Sequence, residues 1–269
     1  VVGGDEDTGI ILRTRDGGNN WEQQEIPENA QGNGLIDIYA LDGDTAWAVG
    51  GEAVILFTDD GGDTWVQQGQ GELPEILMAG VYAYDTDNAW AIGDLVADDA
   101  GTILRTTDGG QSWNQIPYTL ARTPCQPQLI DIHGVDAETV WVVGPCQVSF
   151  TDDGGENWID QWNLDIGEGS NHFNGVFAVD RDHIWLARDS GGILYSTDGG
   201  DNYEKQVSGF PGEEMMRASA VDQHTAWVVS TIFGGGNSGH VLHTVDAGQT
   251  WINQEIPVAA AWAGVSFVK

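Results

Sequence analysis

Carboxylates dominate the reactive groups of this sequence. Asp and Glu number 42 against 9 Lys and Arg, a formal net charge of −33 over 269 residues. Asp94, Asp98 and Asp99 fall in one short stretch and have the oxygen chemistry of a calcium cage, since Ca²⁺ takes about six to eight oxygen ligands. Asp5, Glu6 and Asp7 form a second acidic set. The EF-hand pattern is absent, and no cofactor other than calcium is implied. Cys125 and Cys146 lack the C-x-x-C spacing of a metal knuckle. His240 and His243 are three apart, which on a strand turns them to opposite sides, so they do not make a metal pair. The nucleophile elbow G-x-S-x-G, the phosphate-binding P-loop and the zinc helix H-E-x-x-H do not occur.

The charge balance excludes whole classes of partner. Phosphate backbones are held mainly by Lys and Arg, and Lys occurs only at Lys205 and Lys269, so nucleic acid is not a partner. The same balance opposes adsorption to an anionic membrane face, and no run approaches the length of a membrane-spanning helix. The apolar fraction of 41% suffices for a core. The sequence opens at Val1 without an initiator Met or a basic, apolar leader, which reads as a removed leader or a trimmed chain.

The elements that must position these groups are repeated. Thr14-Arg-Asp16-Gly-Gly-Asn-Asn-Trp21 recurs with its Asp at Asp60, Asp108, Asp153, Asp198 and Asp246, at spacings of 44, 48, 45, 45 and 48. A second element, Asp42-Gly-Asp-Thr-Ala-Trp47-Ala-Val-Gly50, alternates with it and returns around Trp90, Trp141, Trp185 and Trp227. Ten of the twelve tryptophans belong to these two elements. Each unit reads as four short strands bounded by turn residues, for example 80–84, 89–93, 102–106 and 112–116. Four strands in about 45 residues is a β-propeller blade. The expected fold is therefore all-β: one propeller domain over 1–269, with six four-stranded antiparallel blades, or seven if a repeat lies outside this sequence. Residues 262–269 align with a first strand and 1–3 with a second, so one blade is expected to be shared between the termini.

In each eight-residue element, the glycines permit a left-handed hairpin turn. The Asp and Thr oxygens accept turn N–H groups. Asp16, Asp60, Asp108, Asp153, Asp198 and Asp246 are thus structural. Strand alternation places all these repeated turns at one end of the blades. The dissimilar loops 69–77, 117–128, 163–172 and 207–216 fall at the other end, together with 3–9, 93–101 and 230–239. Cys125 and Cys146 both belong to that variable end of one blade, which makes a disulfide the expected pairing and an oxidising compartment the expected location. The first strands begin there too, at Asp37, Gly80, Asp131, Gly175, Arg217 and Gly264. If the protein is an enzyme, Asp37, Asp131 and Arg217 are its catalytic candidates, the two acids forming a glycosidase pair. As a binding module, its exposed apolar candidates are Leu73, Ile76, Leu77, Phe210, Met215, Met216 and Phe233, with Met215, Met216, Arg217 and Phe233 forming the partner surface.

The eight-residue element resembles the Asp-box, or bacterial neuraminidase repeat. The pairing of Trp47-Ala-Val-Gly50 with Ile103-Leu-Arg-Thr-Thr-Asp-Gly-Gly-Gln-Ser-Trp113 is similar to the photosystem II assembly/stability factor-like propellers. The resemblance covers the whole chain. It implies a propeller acting as an assembly scaffold, although those factors have seven blades and this sequence shows six units. Sialidases share the box and need three arginines with a Tyr-Glu pair. Arg122, Arg188 and Arg217 are the only three at the variable end, they come from neighbouring blades, and no tyrosine sits beside a glutamate there. The expected function is a non-enzymatic extracellular, cell-surface or periplasmic module that binds a protein or glycan, or self-assembles. The alternative is a secreted glycoside hydrolase with its site where the first strands begin.

Overall fold

The computed structural model describes residues 1–5, 8–31, 34–95, 101–118, 128–161, 171–232 and 238–255. They divide into two compact units, Val1–Leu120 with Gln126–Leu129, and Ala121–Cys125 with Ile130–Lys269. Among the described residues the strands form six antiparallel sheets, three in each unit. No helix among them is long and apolar enough to cross a membrane.

In the first unit the first sheet is β1 (Val2–Asp5), β2 (Thr8–Arg13) and β3 (Glu22–Gln23). A 3-10 turn, Glu28–Ala30, leads into the second sheet: β4 (Leu35–Ala40), β5 (Ala46–Gly50), β6 (Val54–Thr58) and β7 (Val66–Gln68). The third is β8 (Ile76–Ala83), β9 (Ala89–Leu95), β10 (Gly101–Thr106) and β11 (Asn114–Ile116). In the second unit the fourth sheet is β12 (Asp131–Gly134), β13 (Val140–Gly144), β14 (Gln147–Thr151) and β15 (Ile159–Asp160). The fifth is β16 (Phe173–Ala178), β17 (Ile184–Arg188), β18 (Gly192–Ser196) and β19 (Glu204–Val207). The sixth is β20 (Glu214–Ala220), β21 (Ala226–Thr231), β22 (Val241–Thr244) and β23 (Ile252–Asn253). The expected first strand at 262–269 lies outside the described residues, and the first sheet accordingly shows three strands.

The strands form where β-branched and aromatic residues alternate, because cross-strand pairs of such residues stabilise a pleated surface. In each complete sheet a second-strand Trp lies opposite a third-strand residue with a face to offer. The pairs are Trp47 with Phe57, Trp90 with Arg105, Trp141 with Phe150, Trp185 with Tyr195 and Trp227 with His243. Ring centroids stand 3.9 Å apart for Trp185 and Tyr195, and the Arg105 guanidinium sits 4.9 Å above Trp90. Trp47, Trp90, Trp141 and Trp185 are fully buried, and Trp47, Trp141 and Trp185 belong to the cores between neighbouring sheets of each unit.

Each box is closed by its own side chains. Oδ1 of Asp16, Asp60, Asp108, Asp153, Asp198 and Asp246 accepts the N–H of the residue four on, at 2.8–2.9 Å. Oδ2 takes that residue's side chain at 2.6–2.8 Å. The Thr or Ser before the Asp accepts the second glycine's N–H at 2.8–3.0 Å. Asp42, Asp85, Asp136, Asp180 and Asp222 likewise accept two backbone N–H groups each. Box and turn are then joined: the N–H of Gly61, Gly109, Gly154, Gly199 and Ala247 donates to the carbonyl of Asp44, Asp87, Glu138, Asp182 and His224.

Neighbouring sheets within a unit are clipped together by glutamine. Gln68 of β7 donates to the Gly109 carbonyl at 2.8 Å and accepts Trp113 Nε1–H at 3.1 Å. Gln161 donates to the Gly199 carbonyl at 2.6 Å and accepts Trp141 Nε1–H at 3.1 Å. A Gln recurs three residues after the box aromatic at Gln24, Gln68, Gln161, Gln206 and Gln254. The third sheet has Ile116 there.

Candidate functional site

At the repeated end the carboxylates are already occupied. All six box Asp carboxyls are held below the ordinary value, first by the side-chain hydrogen bond from the residue four on and then by that residue's N–H. Asp60, bonded by Thr64, is lowered to about 2. Both oxygens of each of these carboxylates are thus engaged in closing their own turn.

The variable end is built differently. The first strands carry a bulge just before the position where the charged residues and glycines alternate, between Leu35 and Asp37, Met78 and Gly80, Phe173 and Gly175, and Met215 and Arg217. A bulge inserts one residue and re-aims its neighbours. Here it turns Leu35, Met78, Phe173 and Met215 into the core and puts Asp37, Gly80, Gly175 and Arg217 in one register.

That register explains the alternation. In the first unit Asp37 Oδ2 accepts the Val81 N–H of the next sheet at 3.0 Å. In the second unit Asp131 Oδ2 accepts the Val176 N–H at 2.8 Å, and Asp131 also pairs with Arg217. The intervening Gly175 has no room for a side chain. A Cβ there would lie 2.7 Å from the Met216 carbonyl and 3.0 Å from Arg217 Cα. Glycine lets β20 approach β16 closely enough for Arg217 to meet an acid two sheets away.

The residues singled out from sequence separate accordingly. Asp37 and Asp131 lie in different units, and each already serves as a main-chain acceptor. Met215 is fully buried in the sixth sheet's core, not on a surface, because it repeats the Leu35, Met78 and Phe173 position. Ile76 is buried too: β8 starts four residues earlier than the expected 80–84, and its alternation turns Ile76 and Met78 inward and Leu77 outward. Met216, the bulge residue, and Arg217 are half-buried. Leu73 and Phe210 are also half-buried. Phe233 lies outside the described residues. Asp94 accepts the Leu129 N–H at 3.2 Å, while Asp98 and Asp99 lie outside the described residues. Among the described residues no group of three His, Cys, Asp or Glu is placed to hold a metal. No cysteine among them is free; Cys146 takes a φ of 55°, and Cys125 lies outside them.

Sequence reasoning missed a polar network beside Met215. Glu213 is 8% exposed, and its Oε2 accepts Ser230 Oγ–H at 2.6 Å and meets His240 Nδ1 at 3.0 Å. Phe210 stacks on His240 at 4.0 Å. Ser, His and Glu are the components of a hydrolytic triad, but the wiring differs. The serine proton goes to the carboxylate, and the serine oxygen accepts the His240 backbone N–H at 2.9 Å. The imidazole is therefore not positioned as its base, and no activated nucleophile results. Nearby, Asn174 donates to Asp189 at 2.8 Å, and burial, with Asp189 adding to it, pushes the Glu214 carboxyl up. Arg188 is 1% exposed where other sheets have Gly50, Gly93 and Gly144. An arginine replacing a glycine of the repeat was the available signal for this built-up end.

Comparison with known proteins agrees with this architecture. The family model described as photosynthesis system II assembly factor YCF48 matches residues 1–117 and 116–261. The photosystem II assembly lipoprotein Ycf48 of Synechococcus sp. (strain CC9902) is 27% identical over 138 residues, 50% of this chain and 39% of that relative's length. Among solved structures, YCF48 from Cyanidioschyzon merolae aligns with a TM-score of 0.53 at 18% identity, over 87% of this chain and 88% of that one. A GH74 xyloglucanase from Xanthomonas campestris aligns with a TM-score of 0.51 at 12% identity, over 81% and 37%. At such identities the structural likeness shows the fold alone. The fold is a β-propeller, and its sheets are the blades.

Proposed function

Since the chain belongs to the family described as photosynthesis system II assembly factor YCF48, we propose that it is a non-enzymatic module that binds a protein partner during assembly of a larger complex. The contrast between the two ends of the blades carries this reading. At the box end the same turns recur and their acids are spent on their own backbone. At the other end each sheet presents different residues on a rigid scaffold, the arrangement by which propellers and other repeat folds carry function. In the second unit Met216 and Arg217 are the contact residues, and Phe233, in the 230–239 loop, is assigned to the same surface from sequence. Arg217 is presented by its pairing with Asp131. An extracytoplasmic location is supported by the lipoprotein name of the curated relative and by the absence of a free cysteine among the described residues.

Site-specific photo-crosslinking in the native host tests this. A crosslinker at Met216 is expected to yield one discrete protein adduct, and a crosslinker at Asn202, in a box, none. Adducts from Asn202 alone would refute the assignment. Adducts to glycan or to a second copy from Met216 would change the partner class.

A further inference from the structure

All six histidines fall in the second unit, at His133, His172, His183, His224, His240 and His243, and the first unit has none. Histidine is the side chain that ordinarily changes charge between about pH 5 and 8. His172, His183 and His240 each turn Nδ1 towards an acid: Asp189 at 3.4 Å, Asp180 at 2.8 Å and Glu213 at 3.0 Å. Protonation strengthens such pairs. His133 is wired the other way. Its Nδ1 accepts the Ala178 N–H at 3.3 Å, so that nitrogen carries no proton and the ring is neutral. The half-buried ring packs on Phe177, with centroids 4.1 Å apart.

His133 stands two residues after Asp131 in an unbroken stretch of β12, so both side chains leave the same side of the strand. Together they seam the fourth sheet to the fifth: Asp131 Oδ2 takes the Val176 N–H, and His133 takes the Ala178 N–H two residues on. β13 and β16, the strands packed against β12, carry no acid or base. The charged groups around the seam are Asp131 itself, Arg217 of β20 paired with it, and Asp136 in the turn after β12, held by Arg181 at 3.0 Å. The matching strand of the first unit also places an acid, Asp37, on the Val81 N–H, but has Tyr39, edge-on to Tyr82, in place of the histidine. We infer that His133 is an acid sensor for the Arg217 contact surface. Protonation of Nδ1 removes the acceptor for Ala178 and sets two donors face to face. It also puts a cation on the Asp131 side of the strand, where it competes with Arg217 for the carboxylate. Both changes loosen Arg217, so partner binding holds at neutral pH and falls as pH drops through the titration of the imidazole. The inference rests on the protein-binding reading above and supplies its regulation.

Amide exchange of Ala178 and the side-chain Nε–H signal of Arg217, followed by NMR on the full chain, test it without any partner. In the wild type the protection of Ala178, corrected for intrinsic exchange, should fall about tenfold between about pH 7.5 and 5.5, as loss of one hydrogen bond allows. The Arg217 signal should shift with the same midpoint. His133→Asn offers an acceptor oxygen close to the place of Nδ1 but cannot titrate, so both signals should stay flat. His133→Phe keeps a ring on Phe177 without the acceptor and should show the acid pattern at both pH values. His224→Asn, which removes an exposed histidine of a box-end turn, should respond as the wild type does. Equal protection of Ala178 at the two pH values in the wild type, or a fall that survives in His133→Asn, would overturn the inference. A response of Ala178 with Arg217 unmoved would overturn the link to the contact surface. The Met216 crosslinks succeed or fail independently of these signals, so the two readings fall separately.

Discussion

The two glycines of a box should differ sharply in what they tolerate, and the third sheet shows by how much. Gly109 and Gly110 both have left-handed φ, 71° and 81°. Alanine at either meets the backbone cost of that region, about 1–2 kcal/mol. At Gly109 little else happens, since the nearest atom a Cβ would meet is the Thr86 carbonyl oxygen at 3.2 Å. The chain itself supplies the precedent: Ala247 fills the equivalent position at φ 58°. At Gly110 a Cβ would overlap the Gln68 amide. That amide must withdraw, leaving the Gly109 carbonyl and Trp113 Nε1–H without their partners. Each orphaned group costs about 1–3 kcal/mol. Gly110→Ala should therefore cost about 4 kcal/mol, and Gly109→Ala about 1 kcal/mol. Calorimetric melting should separate the two variants by about 6–12 °C, at roughly 2–4 °C per kcal/mol for a chain of this size. Because the damage runs through Gln68, Gly110→Ala should add only about its backbone cost on top of Gln68→Ala. Equal destabilisation by both glycine variants, or full additivity with Gln68→Ala, would refute the mechanism.

Met215→Ala should cost about 2–5 kcal/mol, as a buried methionine does, while Met216→Ala should leave the melting temperature nearly unchanged and act only on partner binding. The box carboxyls are depressed, so the stability they contribute is complete above pH 4 and lost as pH falls from about 4 towards 2, where Asp60 titrates. Stability should hold from pH 7 to 5 and collapse below 4, and Asp60→Asn should weaken that acid dependence. With a net charge of −33, added salt should raise the melting temperature, and no change between low and molar salt would contradict self-repulsion as a destabilising force. A Cys125–Cys146 bond should appear as a two-dalton gain in intact mass on reduction, whereas two alkylatable thiols in the native protein would exclude it.

The sequence by itself determined what depends on neighbours along the chain. Every side-chain bond that closes a box joins an Asp, Thr or Ser to a residue two to four positions away, so Asp16 through Asp246 could be assigned their role from spacing alone. The blades follow from the same periodicity, because hairpin-linked strands pair with the next segment in sequence. Tertiary structure decided whatever crosses from one sheet to the next. Asp37 and Asp131 read as an acid pair in sequence, yet each reaches a backbone N–H 44 or 45 residues on. Met215 read as a surface methionine, but a bulge beside it, a single extra residue in the pairing register, turns it into the core and leaves Met216 at the edge. Gly175 carried no signal beyond its type until the approach of β20 showed what a side chain there would strike. A strand's own residues set its alternation, but the register between strands and the distance between sheets are settled only when both partners are packed.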